Sequence, residues 1–102
     1  MKLQLGLLSV DQRIKDIRKE LKSLEENDAD VYSIIKRKRC LSEALIEKDP
    51  PEYFEAIKLK GEIVIWLERE LGPDHEVTMA EKRSMLRMKS NYRNFLKTLN
   101  SP

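Results

Sequence analysis

The chain has 102 residues, 37% of them charged, and its 20 basic and 18 acidic side chains leave a formal net charge of +2, so this is not a strongly basic protein. That length suits one domain, and three glycines and four prolines among many Lys, Glu, Leu and Ile point to helix. A single cysteine, Cys40, excludes an internal disulfide and points to a reducing, intracellular setting.

No apolar run reaches the roughly 18 residues that a membrane-spanning helix needs, so no span is expected. The N-terminal "MKLQLGLLSV" is short and lacks a small-residue cleavage site, which argues against a signal peptide. "SVDQ" pairs Ser9 with Gln12 in a capping-box pattern and predicts a first helix over about residues 9–26. Val10, Ile14, Ile17, Leu21 and Leu24 recur at spacings of four and three, a coiled-coil-like heptad stripe that Leu3 and Leu7 extend backwards.

"NDAD", residues 27–30, interrupts that pattern, because Asn and Asp favour caps over helix interiors. A second helix is expected from about Asp28 to Glu47, and since the break holds no Gly or Pro, one long bent helix is the alternative. Val31, Ile34, Ile35, Leu41, Leu45 and Ile46 make its apolar face. Lys38 falls on the same face, where its stem can be buried while its ammonium stays wet. "DPP" then predicts a cap at Asp49 and a third helix over about 50–71, stopped by Gly72 and Pro73. Thr78 and Glu81 in "TMAE" read as a second capping box opening a fourth helix, about 78–99. Its apolar stripe is Met85, Met88, Tyr92, Phe95 and Leu99.

The third helix is apolar over a wide arc. Phe54, Ile57, Gly61, Val64 and Leu71 share one face, which Ile63, Trp66 and Leu67 widen, with Leu59 and Ile65 on its flank. Such an arc can contact two neighbouring helices. Gly61 in mid-helix either permits a close helix crossing or is simply tolerated, at a cost of about 1 kcal/mol against Ala.

Residues 50–77 carry three basic and seven acidic groups, and residues 78–102 carry six basic and one acidic. An acidic helix joined to a basic one by a short loop suggests an antiparallel pair with complementary surfaces. The fold class is therefore all-α, with three to four amphipathic helices in a hairpin or bundle forming one domain over 1–102.

Residues for chemistry are sparse. His75, the only histidine, sits in "PDHE", and adjacent loop residues rarely supply a metal's full ligand set. Cys40 has Arg37, Lys38 and Arg39 nearby in sequence, which would lower a thiol pKa if close in space, but a small buried hydrophobe beside Leu41 is the simpler role. The three glycines are scattered and form no phosphate-cradling loop. No catalytic, cofactor or metal site is expected.

The segment "AIKLKGEIVIWLERELGP", residues 56–73, resembles one found in small helical proteins of tailed-bacteriophage structural gene modules. In those, a K-x-x-G-x-I/L helix precedes a short loop with proline. The likeness covers about a fifth of the chain, and Trp66 and Leu67 match the apolar end of its pattern. The resemblance implies an assembly or virion-accessory role and carries no catalytic residues.

Two functions follow as expectations. The first is a non-enzymatic interaction module, self-associating as a homo-oligomer or docking on a protein partner through Leu7, Ile14, Ile17, Leu21, Leu24, Ile63, Trp66 and Leu67. The second is a nucleic-acid-binding accessory factor using Lys36, Arg37, Lys38 and Arg39 on the second helix with Lys82, Arg83, Arg87, Lys89 and Arg93 on the fourth. In the latter, Tyr92 and Phe95 follow the apolar stripe and read as core rather than as base-stacking platforms.

Overall fold

The computed structural model describes residues 9–100, so the expectation for Leu7 lies outside the described residues. Four helices follow one another: α1, Val10–Glu26; α2, Val31–Glu47; α3, Tyr53–Leu71; and α4, Glu76–Leu99. The expected all-α class is what the chain adopts.

Local chemistry explains the helix ends and shifts three of them. Ser9 caps α1 by accepting a hydrogen bond from the Gln12 amide at 3.0 Å, while the Gln12 side chain donates to Asp16 instead of reaching back. Asp28 has a left-handed backbone, φ 55°, so α1 and α2 are separate helices. Asp30 is the cap of α2, its carboxylate accepting from the Ser33 amide and hydroxyl at 2.9 and 3.0 Å. These bonds, the amide first, hold the Asp30 carboxyl below its ordinary pKa.

The third helix begins at Tyr53 rather than Pro50. A residue preceding proline disfavours helical backbone, and here the Glu52 amide turns back to the Leu45 carbonyl at 2.9 Å. Gly72 closes α3 at φ 94°, in a region that favours glycine. The expected capping box at Thr78 does not form. His75 takes the cap, its Nδ1 accepting from the Val77 amide at 3.1 Å. Thr78 and Glu81 lie inside α4 and are buried.

Each helix packs against its neighbour in sequence: α1 on α2, α2 on α3, α3 on α4. The pairs are antiparallel. Arg13 meets Glu47 and Arg37 meets Glu20 across the first seam. Lys38 meets Glu62 across the second, and Lys82 meets Glu68 across the third. This serial packing makes a slab of 44 × 35 × 22 Å, its thin dimension about two helix diameters. The radius of gyration, 15.5 Å, accordingly exceeds the roughly 13 Å of a near-spherical domain of this length.

The core has two parts. The larger joins Ile14, Ile17 and Leu21 of α1 to Leu41, Ala44 and Leu45 of α2, Ala56 of α3 and Met88 of α4. The smaller gathers Ile35, Ile63 and Leu67, with Trp66 packed at its edge. The arc that α3 buries differs from the expected one. It comprises Ala56, Lys60, Ile63, Val64 and Leu67, whereas Phe54 is 73% exposed and Ile65 and Leu71 face solvent. Residues four, seven and eleven along from Ala56 share its face, and that face meets both α2 and α4.

Candidate functional site

Between the two apolar clusters lies a polar layer built by three helices. Lys60 of α3 is 2% exposed, and its Nζ donates to Glu81 Oε1 of α4 at 2.6 Å. Arg39 of α2 brings Nε within 3.0 Å of the other Glu81 oxygen, close enough for an ion pair but off the line a hydrogen bond needs. One carboxylate thus serves two cations. Beside it the buried Ser42 hydroxyl donates to the Ala56 carbonyl at 2.9 Å, and the buried Thr78 hydroxyl donates to the Leu67 carbonyl at 3.4 Å.

Lys60 and Ser42 were not singled out from sequence and Glu81 was read only as a capping-box residue, yet a signal for Lys60 and Glu81 is present. Lys60 falls in the Ala56–Ile63–Leu67 series, and Glu81 in the Thr78–Met85–Met88 series. A charged residue on each of two apolar stripes is what a buried ion pair looks like in one dimension.

The helix faces nominated for self-association divide. Ile14, Ile17, Leu21, Ile63 and Leu67 lie inside the chain's own core, and Leu24 and Trp66 are half-buried. The apolar surface of the five buried residues is covered by neighbouring helices. The exposed apolar side chains include Phe54 and Ile65 on the outward side of α3, and Leu86, Leu96 and Leu99 on α4. Gly61 lies between Phe54 and Ile65. A Cβ there would meet nothing within 4 Å, so Gly61 serves no close crossing among the described residues.

The basic residues divide as well. On α2, Arg37 pairs with Glu20, Lys38 with Glu62 and Arg39 with Glu81, while exposed Lys36 lies over the Tyr32 ring at 5.2 Å. On α4, Lys82 pairs with Glu68 at 2.8 Å. Arg83, Arg87, Lys89 and Arg93 are exposed and make no ion pair among the described residues. Between α3 and α4 the described ion pairs include Lys82–Glu68, in the expected sense, and the buried Lys60–Glu81, in the opposite sense.

Three half-buried aromatic residues meet at the α3–α4 seam. Tyr53 of α3 stacks at 5.6 Å on both Tyr92 and Phe95 of α4, and the last turn of α4, with Leu96 and Leu99, runs past the start of α3. Cys40 is half-buried against the larger cluster. No group of His, Cys, Asp and Glu among the described residues is placed to hold a metal ion, and none of the described helices is long and apolar enough to cross a membrane.

Arg18 of α1 grips Glu55 of α3 with two hydrogen bonds, 2.8 and 2.9 Å. The bonds from Arg18 hold the Glu55 carboxyl below its ordinary pKa, and the same bonds raise that of Arg18. This clamp ties α1 to the first turn of α3, two helices whose backbones do not touch. No protein-family model matches the chain, and comparison with curated proteins and with solved structures gives no match.

Proposed function

We propose that this protein is a non-enzymatic interaction module that self-associates through the outward face of α3. The observation that carries the reading is the apolar surface folding leaves there. Phe54 is 73% and Ile65 61% exposed, and between them Gly61 faces open space. A side chain from a second helix fits against a residue that has none of its own, and the flanking Phe and Ile supply the apolar area that drives association. The same segment carries the resemblance to phage structural proteins. Under that reading the module serves virion assembly.

Size-exclusion chromatography with light scattering tests the proposal. The chain is expected to gain mass with concentration, and the double variant Phe54→Ser, Ile65→Ser to remain monomeric with an unchanged circular dichroism spectrum, since neither side chain belongs to the core. A monomer at high micromolar concentration overturns the self-association reading. Association that persists in the double variant overturns the choice of face.

A further inference from the structure

We infer that the outward face of α4 binds the phosphate backbone of a nucleic acid duplex. From Lys82 onward the chain has six basic side chains and no acidic one. Most of the basic run on α2 lacks this freedom. Three of the four in Lys36–Arg39 are held by carboxylates of α1, α3 and α4, so most of that positive field is cancelled inside the fold. Arg83, Arg87, Lys89 and Arg93 have no such partner among the described residues.

Their placement along the helix matters as much as their number. Arg83, Arg87, Ser90 and Asn94 follow at steps of four, three and four, which lines them along the side of α4 opposite the buried Glu81 and Met88. Arg93 lies to one side of that line, and Lys89 further round on the same side. All these side chains are types that donate to phosphate oxygens. At about 1.5 Å rise per residue, Arg83 to Arg93 covers roughly 15 Å, enough to reach both lips of a major groove about 12 Å wide.

Access is built in by the fold. Among the described residues, α3 is the only helix whose backbone packs on α4, and Arg83, Arg87, Ser90 and Asn94 on its other side are exposed. The line itself holds no apolar residue, although Leu86, 61% exposed, borders it. A protein partner would call for an apolar centre. A row of cations with interspersed hydroxyl and amide groups matches a phosphate backbone instead.

The test is fluorescence anisotropy of a mixed-sequence DNA duplex titrated with the full chain at several salt concentrations. If the four free cations each displace a counterion, affinity should fall about 150-fold between roughly 50 and 200 mM salt. The variant Arg83→Gln, Arg87→Gln, Arg93→Gln should bind more weakly at low salt and lose only about 3- to 4-fold over the same range. A charge-matched control, Lys15→Gln, Lys19→Gln, Lys22→Gln on exposed positions of α1, should keep the parental salt dependence. Circular dichroism confirms that both remain folded.

The inference is overturned by absence of binding at low salt, or by a salt dependence that the α4 variant leaves unchanged. It is equally overturned if anionic vesicles or an acidic peptide bind the chain while the duplex does not. Light scattering without nucleic acid reads self-association separately. Loss of one property with retention of the other therefore identifies which reading has failed.

Discussion

The Lys60 ammonium lies 2.6 Å from Glu81 Oε1, in a layer that separates the two apolar clusters and joins α3 to α4. Burying two charges costs desolvation that their attraction only partly offsets, but removing one partner leaves a charge stranded. Glu81 also serves Arg39, so the two partners are not equivalent. Glu81→Leu strands Lys60 and should cost about 3–5 kcal/mol. Lys60→Met leaves Glu81 with Arg39 and should cost less, about 1–2 kcal/mol. Urea unfolding of both variants checks the order, and equal losses would show that Arg39 contributes nothing to the layer.

Gly61 offers a prediction of opposite sign. Its added Cβ meets open space, and Ala is better than Gly in a helix interior by about 1 kcal/mol. Gly61→Ala should therefore raise the monomer's stability by about 0.5–1 kcal/mol. If α3 uses the gap in self-association, the same variant should associate more weakly while melting higher. Thermal melts and light scattering on one sample read both effects.

Trp66 is half-buried at the edge of the smaller cluster, beside Ile35, Ile63 and Leu67. A fully buried large aromatic costs about 3–5 kcal/mol on truncation to Ala. Trp66→Ala should fall below that range, about 1–3 kcal/mol, because part of the ring is already in water. The loss should not depend on protein concentration, since the covered part of the ring touches its own chain. A concentration-dependent loss would place the ring in an intermolecular contact.

The Arg18–Glu55 clamp predicts a response to acid. Because the folded carboxyl titrates below its unfolded value of about 4.3, the stability it adds is present above that pH and is lost as pH falls through the folded value. Arg18 and Glu55 side chains are 46% and 36% exposed, so solvent screening keeps the contribution within the roughly 0–1 kcal/mol of surface pairs. Arg18→Gln should melt below the parent at neutral pH, and the gap should narrow as pH drops below about 4. A gap constant across that window would assign the loss to packing of the Arg18 stem.

Much of the architecture was legible in one dimension. The Val10–Leu24 stripe marks the side of α1 that meets α2, Ser9 marks the helix start, and Gly72–Pro73 marks the end of α3, because helical period, side-chain capping and backbone restriction are local properties. Boundaries failed where tertiary structure supplied a better partner. Thr78 and Glu81 spell a capping box, yet their polar groups find the Leu67 carbonyl and the Lys60 ammonium once α4 lies on α3. The α3 face was displaced for a related reason: an ammonium that meets a carboxylate can be buried, and so Lys60 goes inside while Phe54 stays out.

Composition and periodicity suffice for an all-α chain, the approximate helices and the number of cations on α4. Which charges are paired and which are free depends on how the helices pack. Arg37, Lys38 and Arg39 are paired because α1, α3 and α4 bring Glu20, Glu62 and Glu81 to them, whereas Arg83, Arg87, Lys89 and Arg93 lie where no described carboxylate reaches. Neutralisation depends on separation in space, which falls within a few ångströms for residues tens of positions apart in the chain, and no local pattern encodes that distance.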